Sequence, residues 1–441
     1  MFKKILLKIL NPLIDEYVYE MFTKDYSDNP FIMVTAVEKL GAKNIIEAEL
    51  RAEKGKVLIL PYGTNLRLSP WEKILLNPRQ LFKFPTEKLS DIKTEVIIGK
   101  SSKKPLKLSM PIMITGMSYG GSLSLPLKIA LAKGSNLAGT STNTGESVVA
   151  EEERKMAKYL IGQYHRGNLM RDEDYKKLDA IEFRFGQGAW GGSSESTTYA
   201  KDINERLRHD WRLEEGEDRL FSARLPGINN KSDLQLKIKE FKEKYGVPIG
   251  IKIAGTDFIE RELDVITSTD CDYIVIDGNE GGTAVAPPTL EDNVGLPTLY
   301  TLIRTVNYLE KNNIKDKYTL IVAGGLKSPG DFLKALALGA DAVYIGSIAV
   351  FAALHNQVRK ALPEHMPTQL ALGTGKLRDK LDINLAAKSI RNFLISCNEE
   401  MKLALQAMGK KDINELSKED LVSLDKEISV LANIRYGLNS R

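Results

Sequence analysis

The sequence is poor in cysteine, histidine and tryptophan, and each shortage removes a class of function. Cys271 and Cys397 are the only cysteines in 441 residues. Two thiols make no disulfide framework, so a reducing compartment, the cytoplasm, is expected. They also fall short of the thiolates an iron–sulfur cluster takes, so no cluster is expected. The four histidines, His165, His209, His355 and His365, share no metal-ligand spacing such as HExxH, and no metal site is expected. Charge of one sign is not in excess. The 62 basic and 58 acidic residues leave a net charge of +4, with no dense basic block and only three tryptophans. That balance excludes nucleic acid as a principal partner. No apolar run approaches the ~18 residues of a membrane span, and a Walker phosphate loop is absent.

What remains is good material for a large core, with 43% apolar and 27% charged residues. A (β/α)8 barrel takes about 250 residues, so one barrel with an extension at each end is a natural partition. The start, MFKKILLKILNPLIDEYVYEMF, reads as an amphipathic helix broken by Lys8, Pro12 and Asp15, with no small-residue cleavage site behind it. Its first reading is a helix docked on its own domain or on a subunit neighbour. The alternative is membrane-surface contact, with Lys3, Lys4 and Lys8 on one side. TEVIIG (94–99) and PLKLSM (105–110) flank a turn-rich segment and predict a β-hairpin, by analogy a plug for the N-terminal end of a barrel.

From Pro111 short β-branched runs alternate with helical patterns, the signature of βα units around a parallel sheet. The expected strands are IMITGM (112–117), the stretch near LAGTST (137–142), YLIGQYH (159–165), IEFRF (181–185), PIGIKI (248–253), DYIVID (272–277), TLIVAGG (319–325) and AVYIGS (342–347). Residues 186–247 exceed the need of one unit and predict an extended loop with a helical insertion over the active face. The expected organisation is an N-terminal extension (1–104) beginning the hairpin, a barrel (105–375) and a helical tail (376–441) packed on it, with Ser417 and Asp420 spaced as a capping box.

The chemistry concentrates at strand ends. VAGG (322–325) and YIGS (344–347) end the last two strands, 22 residues apart. Glycine there lets backbone amides approach a phosphate, and these loops are the usual phosphate site of the fold. Gly324, Gly325, Gly346 and Ser347 are the candidate ligands; tight turns without a ligand are the bland alternative. GMSYGG (116–121) puts Met117 and Ser118 at the mouth, where backbone can meet a flat ring. In STNTGE (141–146) Glu146 can accept a proton or bind a cationic group. Alternation in IGIKI puts Lys252 opposite Ile249, Ile251 and Ile253, inside the barrel, where an ammonium needs a partner. IDGNEGGT (276–283) offers Asp277, Glu280, Gly281, Gly282 and Thr283 for substrate binding or acid/base work. FRFGQGAW (183–190) brings Arg184, Gln187 and Trp190, with Arg184 suited to clamp a carboxylate or to form an internal ion pair.

In this order GMSYGGSLS, GTSTNTGE, FGQGA, IKI, DGNEGGT, AGGLKSPGD and IGS resemble the FMN-binding synthase domain of glutamate synthase, over about residues 94–425. The resemblance implies a (β/α)8 TIM barrel with FMN. Carried over by position, Met117, Ser118, Lys252, Gly281, Gly282, Thr283, Gly324, Gly325, Gly346 and Ser347 hold FMN. Glu146, Lys252 and Gln187 are catalytic, and Arg184, Trp190 and Glu280 face the substrate. The implied activity is an oxidoreductase acting on CH–NH2 donors that reduces an imine of a 2-oxo acid such as 2-oxoglutarate, as in amino-acid biosynthesis. Two departures matter. Trp190 stands where the family has a second lysine, which removes a carboxylate anchor and favours an apolar substrate portion. The family's cysteine cluster is replaced by HNQVRKALPEHMPTQLA (355–371). A glutaminase domain is not expected either, so nitrogen is expected from ammonia, an amine or a separate amidotransferase subunit, and electrons from a separate donor. A homo-oligomer is expected. Rival readings are an FMN oxidase or dehydrogenase, an FMN reductase of an apolar substrate, and a non-catalytic FMN-holding subunit.

Overall fold

The computed structural model describes residues 2–29, 31–55, 71–190, 192–283 and 294–438. Its centre is a parallel sheet of eight strands: β1 (Ile112–Ile114), β2 (Ser141–Asn143), β3 (Tyr159–Tyr164), β4 (Ala180–Arg184), β5 (Ile249–Ala254), β6 (Tyr273–Asp277), β7 (Thr319–Ala323) and β8 (Ala342–Ile345). Neighbours run β1-β8-β7-β6-β5-β4-β3-β2, and the parallel bridge from Gly116 to Asn143 joins the two ends. The sheet is therefore a (β/α)8 barrel. Every expected strand is present. The second begins later than LAGTST suggests, because the preceding helix of the barrel layer, Leu125–Ala138, runs through Ala138 before the chain turns. Ser124 starts that helix by accepting from the Leu127 N–H, and Gly139 ends it with φ +76.

Coverage on both faces gives most of these strands an apolar majority: Ile112, Ile161, Ile181, Ile251, Ile274, Ile321 and Val343 are all inaccessible to solvent. The hairpin Val96–Ile98 and Leu106–Leu108 pairs antiparallel. The Gly99 N–H donates to Thr319 Oγ1 at 3.1 Å, and Ser101 Oγ donates to Asp272 Oδ1 at 2.8 Å. Both acceptors lie at or just before strand starts, so the hairpin covers the N-terminal end and leaves the opposite mouth for function.

The long segment after β4 forms a two-stranded ribbon, Ser196–Thr198 with Arg219–Phe221, and a helix, Glu205–Trp211. Ile203, Leu207, Trp211 and Phe221 pack with Tyr119, Val148 and Leu169 into a small second core. That core fixes the insertion over the ends of β1 to β3. The tail helix Ile383–Ala407 packs on the helix Leu125–Ala138, and Ser417 with Asp420 forms the capping box.

The N-terminal extension contains three helices: α1 (Phe2–Thr23), α2 (Phe31–Leu40) and α3 (Ala42–Lys54). The third is firmly seated, with Ala48 and Ala52 buried and Arg51 bidentate to Glu400. In the first, the described side chains from residue 10 onward are mostly open to solvent. Leu13, Ile14, Tyr17 and Phe22 remain exposed, Phe22 to 78%. No helix among the described residues is long and apolar enough to cross a membrane.

Candidate active site

The cofactor side of the mouth is built from backbone. Gly324 and Gly325 adopt φ +115 and +70, conformations that side-chain-bearing residues rarely take. The loop after β6 folds onto them. The Gly278 N–H donates to the Ala323 carbonyl at 3.0 Å, and Thr298 Oγ1 donates to the Gly324 carbonyl at 2.8 Å. A Cβ on Gly325 would lie 2.7 Å from that of Glu280, and one on Gly282 would collide with the Ser347 hydroxyl. Ser347 opens the helix Ser347–Leu354. A cradle of glycine backbone, a hydroxyl and a helix start suits a phosphate monoester. Gly346 in turn lies beside Met117, whose Sδ would be 3.9 Å from its Cβ. The structure thus brings Met117, Gly281, Gly282, Gly324, Gly325, Gly346 and Ser347 together, with half-buried Thr283 following in the same loop.

Lys252 points into the barrel and is nearly inaccessible. Its Nζ lies 2.8 Å from Asp277 Oδ2 and 3.4 Å from Thr115 Oγ1, above the Tyr344 ring. The partner that a buried ammonium requires is therefore Asp277. Beneath it lies Glu182, fully buried, which accepts from Gln163 Nε2 at 2.6 Å and from the Tyr344 hydroxyl at 3.1 Å. Burial pushes its carboxyl up, opposed by Lys252 and these hydrogen bonds.

The substrate side is built from charge. Glu146 is clamped between two guanidiniums, with Oε1 2.6 Å from Arg184 Nη1 and 3.1 Å from Arg166 Nε. Burial pushes the Glu146 carboxyl up, but Arg184 and Arg166 outweigh it and hold the group below the usual carboxylate range. Arg166 also donates to Ser196 Oγ and the Ser194 carbonyl, and lies 5.6 Å from the centre of the Trp190 ring. Next to it, burial pushes the His165 imidazole down to about 4, so the ring is neutral. Its Nε2 has no hydrogen-bond partner among the described residues. Ser118 joins the two sides: its Oγ accepts from the Glu146 N–H at 3.2 Å, while Met117 before it faces Gly346.

Two expected site residues are placed differently from the rest. Glu280 turns away toward the helix Thr298–Lys311, where its carboxylate accepts from the Thr298 N–H at 2.6 Å and acts as a cap. Gln187 closes a turn with its backbone, the carbonyl accepting from the Trp190 and Gly192 amides. Gly188 in that turn presses on the Gly278 carbonyl so closely that a Cβ has no room. Arg166, His165 and Glu182 are the site residues that sequence reasoning missed. The run Gly116–Gly120 also has GxSxG spacing, but no histidine is hydrogen-bonded to Ser118 among the described residues. Nor do these residues contain a group of three or more His, Cys, Asp or Glu able to hold a metal.

The model of the conserved region in glutamate synthase matches residues 71–411. The chain belongs to the glutamate synthase family. A glutamate synthase large subunit-like protein of Rhizobium meliloti is 32% identical, the match covering 88% of this chain and 92% of that one. An archaeal-type glutamate synthase [NADPH] of Thermotoga neapolitana is 30% identical over 85% of this chain and 78% of its own. Among solved structures, flavocytochrome b2 superposes with a TM-score of 0.53 at 18% identity, covering 89% of this chain and 82% of that one. (S)-Mandelate dehydrogenase gives 0.52 at 14% identity, covering 86% and 98%. At such identities these two likenesses speak for the barrel fold alone.

Proposed function

We propose that this glutamate synthase family member is an FMN-dependent oxidoreductase that reduces an imine of a 2-oxo acid. One observation carries the reading: a backbone cradle fit for a phosphate and an arginine-rich pocket share one barrel mouth, bridged by Met117 and Ser118. The cradle residues fit the phosphate of FMN, and bound FMN would supply the hydride.

The chain's own residues would do the rest. Arg184 and Arg166 carry two positive charges against the single carboxylate of Glu146, which leaves one charge for a substrate carboxylate. Glu146, held ionised, would accept hydrogen bonds from a cationic nitrogen and is not suited to donate a proton near neutrality. Lys252 would compensate negative charge developing on the cofactor side, with Asp277 setting its position. Gln187 and Trp190 would form the wall over the substrate. Trp190 supports a second reading, a substrate with an apolar or aromatic portion, because its ring already covers Arg166. The relatives' names fit a chain that works with a separate subunit supplying electrons or ammonia.

The test is spectroscopic. Purified protein given FMN should develop the two-banded spectrum of bound flavin, and 2-oxo acids offered with ammonia or amines should perturb it. Gly325→Asp should abolish FMN binding, because a carboxylate there clashes with Glu280 and repels phosphate. Unchanged FMN affinity in that variant would remove the cradle from the reading.

A further inference from the structure

The matched family region begins at residue 71, yet one cation from the preceding extension reaches the cofactor side of the mouth. Lys39, at the end of α2, extends its ammonium to the Gly281 carbonyl, with Nζ and O 2.7 Å apart. Gly281 belongs to the loop pressed on both glycine turns. Its neighbour Gly282 abuts the Ser347 hydroxyl, and its other neighbour Glu280 abuts Gly325. The lysine is therefore anchored on the loop that bounds the phosphate cradle.

Its base is held from both sides. Upstream, the Ser27 carbonyl accepts from Gln369 Nε2 at 2.9 Å, and Asp28 pairs with Lys376 at 3.1 Å. Downstream, Leu40 is buried and α3 is fixed by the Arg51–Glu400 pair. The other charges nearby are committed or different in kind. Lys252 is neutralised by Asp277, and the Glu280 carboxylate caps Thr298. Lys327 follows the Gly324–Gly325 turn, and no side-chain hydrogen bond or ion pair of it is found among the described residues. The cradle itself offers backbone amides and one hydroxyl, whereas a phosphate monoester brings ~1.5 to 2 negative charges. An ammonium has three donors, and the Gly281 contact uses one.

We infer that Lys39 is a phosphate-binding residue contributed by the N-terminal extension, so that the extension completes the cofactor site of the barrel. This rests on the FMN reading, and the experiment separates the two. Apoprotein is titrated with FMN and with riboflavin, which lacks the phosphate, following flavin fluorescence. Wild-type protein, Lys39→Met, Lys39→Arg and Lys327→Met are compared at low and at raised salt. Lys39→Met should weaken FMN roughly 10-fold, the scale of one hydrogen bond to a charged group. It should leave riboflavin unchanged and flatten the salt dependence of FMN binding, while Lys39→Arg retains the preference for FMN. Equal loss of FMN and riboflavin would show that Lys39 only props the loop and would overturn the proposal. So would unchanged FMN affinity in Lys39→Met, or a phosphate preference that disappears with Lys327→Met alone. Wild-type protein that binds neither flavin would overturn the FMN reading itself.

Discussion

The two sides of the barrel mouth are built by different means. At the ends of β7 and β8 the walls are peptide groups, fixed by hydrogen bonds such as Thr298 Oγ1 to the Gly324 carbonyl. At the ends of β2 to β4 they are buried charges, Glu146 between Arg184 and Arg166. Peptide groups do not titrate and tolerate only glycine; charges titrate and depend on one another. The first side is therefore sensitive to shape, and the second to pH and to loss of any one partner.

The largest effect should come from breaking the charged side. Glu146→Gln leaves two guanidiniums buried together without a counter-charge, and should cost about 3–5 kcal/mol of stability. Urea denaturation at neutral pH measures this, and a loss under 1 kcal/mol would show that solvent relieves the cluster.

Next comes acid. Below its ordinary pKa of ~6.5 an unfolded histidine takes up a proton, while buried His165 resists until about 4. The unfolded state then binds more protons, so stability is full above pH ~6.5 and is lost as pH falls toward the folded value. Glu146, whose folded pKa is also depressed, acts in the same direction further down: its contribution is present above ~4.3 and is lost below. His165→Asn should remove up to ~3 kcal/mol of the decline between pH 6.5 and 4. A variant whose denaturation midpoint falls with pH as steeply as wild type would assign the decline elsewhere.

The smallest effect concerns Trp190. Trp190→Leu removes the ring beside Arg166 and keeps an apolar wall, and should raise KM for a carboxylate substrate by roughly 2- to 5-fold, the range of a partly exposed cation–π contact. FMN affinity should not move, because Trp190 belongs to the charged side only.

Much of this was legible in the chain because buried parallel strands are β-branched runs between turns. Each of the eight produced its own signal, and a Gly-Gly pair after β7 and a Gly-Ser pair after β8 marked the last two. The parity that turned Lys252 inward applies equally to Glu182, since Gly250 and Lys252 stand in register with Glu182 and Arg184. Glu182 was therefore readable from alternation. Arg166 lies just beyond the strand end, after Tyr164 and His165, where period-two alternation no longer applies. Its role depends on the insertion that supplies Ser194 and Ser196. Glu280 looked like a free carboxylate, because the helix it caps begins 18 residues later. Lys39 meets Gly281 across 242 residues, and no local pattern encodes such a contact.

Gly188 resting on the Gly278 carbonyl is a second point, besides Met117 and Ser118, where the two sides touch. For a lineage drifting toward new substrates, that contact divides what can change from what cannot. Side chains around it, as at Trp190, can be exchanged singly, and selection can sample substrates without retuning the cofactor. A mutation that gives residue 188 any side chain would displace the Gly278 loop, and with it the proposed cofactor cradle. The chemistry can diversify on one side of that glycine only while the glycine itself is inherited unchanged.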